Sequence, residues 1–242
     1  MLRLVAVFLG IVPATLFYGS RMLWAVARKS PNVSCLCDAM PRRWARFLLR
    51  LSGVKVEVEN VGVIDPDRSQ ILVANHGSWY DVLAMLDQIP GSFIFVAKKE
   101  LFSIPIFGSA VLSCGHIFID RKDRGQAFES LATARKRLDE ESPTIIMFPE
   151  GTRSETGEVR SFKKGAFVLA IQAGVDVVPA AITGARGVMR KGSWVIRPGT
   201  VRIQFGQPVS VQGYGIKDRN ELTERVRGEL IRILDAAASN PT

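Results

Sequence analysis

A histidine and an aspartate five residues apart stand in the segment N-H-G-S-W-Y-D at 75–81, as His76 and Asp81. On a continuous helix positions i and i+5 lie about 140° apart and do not face each other. The two work together only if His76 occupies a turn and Asp81 the first turn of a helix. Gly77 and Ser78 are residues that make such a turn. In that geometry the carboxylate accepts a hydrogen bond from one ring nitrogen and leaves the other nitrogen as a base. A base so held takes the proton of an alcohol as the alcohol attacks a carbonyl carbon, and no separate protein nucleophile is needed. Ser78 as a covalent nucleophile is the competing route, although it lies in no G-x-S-x-G elbow.

These residues must be positioned by the elements around them. VKVEVEN (54–60) alternates as a half-buried strand does. Short apolar runs follow at 71–75, 93–98, 116–120, 144–148 and 177–182, with a last strand pattern at 201–206. Helical stretches fall near 81–88, 124–140, 162–173 and 218–238. Strands alternating with helices indicate an α/β fold with a mixed, largely parallel central sheet flanked by helices. In such sheets ligands meet the carboxyl ends of the strands. Three polar segments stand there, at 75–81, 120–124 and 149–154. His116, inside an apolar run, reads as a packed strand residue, and Cys114 as a small core residue.

The charge is unevenly spread. The chain has 242 residues and a net charge of +9, and residues 1–50 hold eight Lys/Arg against the single acid Asp38. The basic excess therefore sits beside the uncharged run LVAVFLGIVPATLFYGS (4–20), which fits an anionic membrane surface better than nucleic acid. The run admits three readings: a transmembrane or re-entrant anchor, a cleaved signal peptide, or a core helix. Trp44, Phe47, Leu48 and Leu51 share one helical face, with Arg42, Arg43, Arg46 and Arg50 largely opposite, as in a helix lying at the headgroup boundary. The expected division is 1–52 as membrane-associated helices and 53–242 as an α/β domain. Three cysteines, with Cys35 and Cys37 too close to bridge easily, suggest no disulfide framework and a reducing compartment. No metal-ligand spacing is present.

Four segments together resemble the glycerolipid acyltransferases: N-H-G-S-W-Y-D (75–81) their H-x4-D block, G-H-I-F-I-D-R (115–121) the second, F-P-E-G-T-R-S (148–154) the third and V-P-A-A-I (178–182) the fourth. Within that family the likeness is greatest to the bacterial 1-acyl-glycerol-3-phosphate acyltransferases. The resemblance implies transfer of an acyl group from acyl-CoA or acyl carrier protein to the sn-2 hydroxyl of lysophosphatidic acid, giving phosphatidic acid. It implies no cofactor or metal, a phospholipid membrane as partner and a place on the cytoplasmic face of the cell membrane. His76 would be the general base and Asp81 its orienting partner. Arg153 and Arg121 would hold the acceptor phosphate, a task suited to planar bidentate donors. Glu150, Gly151, Thr152, Lys98 and Ser78 would complete the substrate contacts, with the amides near Gly77 and Ser78 facing the thioester oxyanion. Rival readings are a different acceptor, such as glycerol 3-phosphate, a lysophospholipid or an aminolipid, a hydrolase, and a lipid-binding protein without catalysis.

Overall fold

The computed structural model describes residues 2–120 and 124–239. Two long helices come first, α1 (Leu2–Ala27) and α2 (Val33–Ser52). The α/β body then runs β1 (Val54–Glu59), β2 (Gln70–Ala74), α3 (Trp79–Gln88), β3 (Phe93–Lys98), α4 (Phe107–Ser113), β4 (Ile117–Ile119), α5 (Arg124–Glu141), β5 (Thr144–Met147), α6 (Gly165–Ala173), β6 (Val177–Thr183), α7 (Ala185–Val188), β7 (Gly199–Phe205) and α8 (Arg219–Ser239).

The strands form one sheet in the order β1-β7-β6-β2-β5-β3-β4. Neighbours are parallel except β6 and β7. The mixed, largely parallel sheet read from the apolar runs is the one observed. Its central strands are buried throughout: every residue of β2 and β5 is inside, as unbroken Val/Ile/Leu runs require when both faces are covered. One face packs with α3 and α2 around Leu72, Ala84, Met85, Ile146 and Phe205. The other packs with α5, α6 and α8 around Ile145, Phe167, Val226 and Leu230. The parallel order of β6, β2, β5 and β3 brings their carboxyl ends to one edge, with β2 in the middle, and the turn after β2 carries His76.

The two N-terminal helices form an antiparallel hairpin. Trp44 Nε1 donates to Thr15 Oγ1 at 3.1 Å. The Leu51 side chain comes so close to Gly10 that a Cβ there would clash with Leu51 Cδ2. α1 therefore packs along the Trp44 and Leu51 side of α2 and touches Phe47 in part. The adjoining face of α2 buries Met40, Ala45, Leu48 and Leu49, and Ser52 meets the Tyr80 hydroxyl at 2.6 Å. Leu48 and Leu49, each 2% exposed, contribute roughly 1.5–3 kcal/mol apiece. Arg42 donates to the carbonyls of Ile89 and Gly91, and Arg46 pairs with Asp87. α1 and the core thus take up much of the apolar face of α2, and two of its four arginines are used inside the chain, while Phe47 stays 40% exposed and Arg50 is exposed beside it.

Much of the exposed apolar surface among the described residues belongs to α1. Val5, Leu9, Val12 and Leu16 recur on one side and are 46–72% exposed, with Phe8, Phe17 and Trp24 beside them. The stretch Leu4–Ala27 is apolar and, at 24 residues, long enough to cross a membrane.

The cysteines differ from expectation. Cys37 and Cys114 form a disulfide with Cα atoms 5.3 Å apart, a usual spacing. It ties α2 to the end of α4 among Met22, Met40 and Ala110. Cys35 is free and exposed.

Candidate active site

His76 lies in the four-residue turn 75–78 between β2 and the start of α3, and Asp81 is in the first turn of that helix. His76 Nδ1 lies 2.8 Å from Asp81 Oδ2. The same oxygen accepts the backbone N–H of Gly77 at 2.7 Å and of Ser78 at 2.8 Å. Asp81 is the acidic half of a capping box, with Ser78 Oγ accepting from Tyr80 N at 3.2 Å. The residue that starts the helix is thus the residue that orients the imidazole. With an ionised, acceptor-only carboxylate, Nδ1 carries the proton and Nε2 keeps its lone pair. Nε2 has no hydrogen-bond partner among the described residues. The ring stacks on Phe148, centroids 4.2 Å apart.

The neighbouring strands fix the backbone of this turn. Glu150, beyond β5, accepts from His76 N at 2.8 Å and Arg160 N at 3.2 Å. Burial pushes its carboxyl above the usual value, and those two amides hold it back. Ser154 N donates to His76 O at 2.7 Å. On the other side Asn75 makes a paired contact with β6, its Nδ2 to Ile182 O at 2.9 Å and Ile182 N to its Oδ1 at 2.7 Å. His76 is therefore clamped from β5 and from β6. The sequence pattern puts Asn75 at the head of N-H-G-S-W-Y-D but does not indicate this bond.

A cleft of about 170 Å³ opens at this edge, lined by His76, Gly77, Glu150, Thr183, Gly184 and Arg186 among others. Arg186, in α7, was not singled out from the sequence. Its only signal is membership of the Gly- and Arg-rich stretch after V-P-A-A-I. One of its nitrogens donates to Glu155 O at 2.6 Å.

The remaining expected residues separate into groups. Arg153 lies over the exposed Trp79 ring, 4.9 Å from its centroid. Its guanidinium is pulled slightly below its ordinary value by burial, and Asp81 opposes that. Gly151 has φ +73°, and a Cβ there would lie 2.8 Å from Lys163 Cε, so the position is fitted to glycine. Thr152 sits between them, half-buried. Lys98, at the end of β3, is in a surface ion pair with Glu100 at 2.7 Å. Arg121 lies outside the described residues.

Two expectations are corrected here. Ser78 is fully buried, and its hydroxyl donates to Met189 O at 2.8 Å, so it is turned away from any substrate. The amides of Gly77 and Ser78 are both spent on Asp81 and do not face an oxyanion. His116 is buried and accepts from Phe95 N at 3.1 Å. Burial, aided by Arg137, lowers it to about 4. It is a neutral strand-edge acceptor.

Comparison with known proteins fits this arrangement. The family model described as Acyltransferase matches residues 55–183. The chain is 34% identical over 186 residues to human 1-acyl-sn-glycerol-3-phosphate acyltransferase alpha, a match covering 76% of this chain and 65% of that protein. It is 32% identical over 220 residues to the Haemophilus influenzae 1-acyl-sn-glycerol-3-phosphate acyltransferase, covering 88% and 87%. The crystal structure of the 1-acyl-sn-glycerophosphate (LPA) acyltransferase PlsC from Thermotoga maritima superposes with a TM-score of 0.86 at 27% identity, covering 100% of this chain and 97% of that one. With the His76–Asp81 turn, the F-P-E-G-T-R-S loop and the sheet that joins them all inside or beside the matched segment, the chain belongs to the acyltransferase family.

Proposed function

We propose that the chain moves a fatty acyl group from an acyl thioester to the sn-2 hydroxyl of 1-acyl-glycerol-3-phosphate, forming phosphatidic acid. The observation that carries this reading is the Nδ1–Asp81 bond on a turn clamped by Glu150 and Asn75, beside a cleft whose lining includes Arg186. His76 Nε2 removes the proton of the acceptor hydroxyl as its oxygen attacks the thioester carbon. The tetrahedral intermediate collapses with loss of the thiolate, which takes the proton back from the imidazolium. Asp81 stabilises that imidazolium. Because the Gly77 and Ser78 amides are occupied, the developing oxyanion relies on the positive N-terminal end of α3 and on the nearby guanidinium groups. In this reading Arg153, Arg186 and Arg121 hold the acceptor phosphate, a task suited to guanidinium groups.

The acceptor is a membrane lipid, and α1 supplies the contact with its bilayer. Packing against α2 along one side leaves α1 a one-sided apolar stripe, the form of a helix sunk in one leaflet. The donor is acyl-CoA or acyl carrier protein, and the reaction belongs on the cytoplasmic face, where both are made.

The test is thiol release from a long-chain acyl-CoA, and separately from acyl carrier protein, with and without 1-acyl-glycerol-3-phosphate, for the unmodified chain and His76→Ala. Release that requires the acceptor and is lost in the variant is the expected result. Release without acceptor would make the chain a hydrolase. Activity undiminished in His76→Ala would remove the base assignment.

A further inference from the structure

Between α7 and β7 the chain makes a closed loop whose ends meet, Arg197 N donating to Val188 O at 2.9 Å. Short closed loops of this kind are held by their own packing. Its apolar residues point in two directions. Met189 and Ile196 pack against the core cluster of the α3 face. Trp194 at the tip is 65% exposed, and Val195 is exposed beside it. The tip is held in shape by Ser193 N to Arg190 O and Val195 N to Ser193 Oγ, both 3.1 Å. The loop thus buries two apolar anchors and presents an indole outward from a fixed frame.

Two observations say what the indole meets. The Trp194 ring lies 5.6 Å from that of Phe8, so the tip is continuous with the apolar stripe of α1. Arg190 and Arg197 are exposed around it. An indole and a valine flanked along the loop by two exposed arginines, extending an apolar helix face, suit the headgroup boundary of an anionic bilayer, where tryptophan is enriched. The base of the loop also holds both catalytic loops. Met189 O accepts from Ser78 Oγ at 2.8 Å, and Lys191 Nζ bonds Glu155 Oε1 at 2.8 Å, just beyond F-P-E-G-T-R-S.

We infer that the loop spanning 188–197 is a second lipid-docking element: Trp194 and Val195 enter an anionic bilayer beside α1 and set the height of the His76 cleft above the embedded acceptor. The inference rests on the acyltransferase reading and on α1 lying in a leaflet. Two contact points, one on a helix and one on a loop, fix the tilt of the body, which a single helix does not.

The experiment uses the full chain with vesicles of phosphatidylglycerol or phosphatidylcholine, some carrying brominated acyl chains. Trp194→Ser weakens partition into phosphatidylglycerol vesicles about tenfold, the scale set by losing one buried aromatic side chain. Trp194→Phe retains partition. The emission that Trp194→Phe removes is quenched by the brominated chains. For Trp194→Ser, activity on bilayer-embedded acceptor falls about tenfold relative to activity on a monomeric short-chain acceptor, on the same grounds. Unchanged partition and an unchanged activity ratio in Trp194→Ser, or unquenched Trp194 emission, would overturn the inference. Failure of the unmodified chain to bind vesicles would overturn it together with the leaflet reading of α1. A chain that binds but transfers no acyl group would refute the acyltransferase reading alone, with partition and quenching still deciding the role of the loop.

Discussion

Replacing Asp81 by asparagine removes one negative charge and keeps the shape of the turn. An asparagine oxygen in the place of Oδ2 still accepts from His76 Nδ1 and from the Gly77 and Ser78 amides, now at 2.7–2.8 Å. The resting site and the helix start therefore survive. What is lost is the attraction between the carboxylate and the imidazolium formed when His76 takes the hydroxyl proton. Two unit charges about 4 Å apart at an effective dielectric near 20 attract by about 4 kcal/mol. At about 1.4 kcal/mol per decade, forfeiting most of that slows turnover roughly a thousandfold. The assay is the initial rate of thiol release with acceptor in vesicles, with a thermal melt of the same preparation as a control for folding. A melting temperature within a few degrees and a rate down by two decades or more is the expected pair of results. A folded variant within tenfold of the unmodified rate would show that Asp81 serves the helix cap and not the base.

Gly151→Ala places a Cβ 2.8 Å from Lys163 Cε at φ +73°. It is expected to cost about 1–2 kcal/mol of stability, read as a lower urea midpoint, and to slow turnover through the displaced loop. His116 titrates at about 4 when folded and near 6.5 when unfolded, so the unfolded chain binds the proton first and stability falls as pH drops below about 6.5. Between pH 7 and 5 the loss is about 2 kcal/mol, and His116→Asn, which keeps an acceptor for Phe95 N, is expected to show a shallower decline in urea titrations. Cys37→Ser opens a bridge across a sequence separation of 77, at a cost of about 2–4 kcal/mol. A reductant then lowers the melting temperature of the unmodified chain and leaves that of the variant unchanged.

Much of the fold was legible because burial on both sheet faces writes itself as uninterrupted apolar runs. Each of the seven runs became a strand, and the four longer helical stretches became α3, α5, α6 and α8. α4 was missed: at seven residues it is too short to show a period, and it follows a tight turn at Ile106. Of α2 only the stretch 42–51 was legible, because a proline such as Pro41 normally opens a helix. Here it sits inside one that begins at Val33. Which way the apolar face of α2 points was not legible, since a helix covered by another helix and one covered by lipid carry the same pattern. The disulfide was hidden because Cys37 and Cys114 are brought together by tertiary packing alone. At the site, the His76–Asp81 spacing was readable as a turn running into a helix. The occupation of the Gly77 and Ser78 amides was not, because the sequence does not say which acceptor a cap carboxylate will choose. Asn75 and Arg186 gain their places only when β6 lies beside β2.

The pairing of β1 with β7 has a consequence in time. Glu57 meets Arg202 across 145 residues of sequence, so the β1 edge of the sheet has no partner until β7 is made. At roughly ten residues per second of synthesis, α1 leaves the ribosome about a quarter of a minute before β7 is made. The apolar helix can thus reach a bilayer while β1 still lacks its partner. The catalytic sheet would then close on a chain already moored, and its assembly, not its delivery, would be the later event in biogenesis.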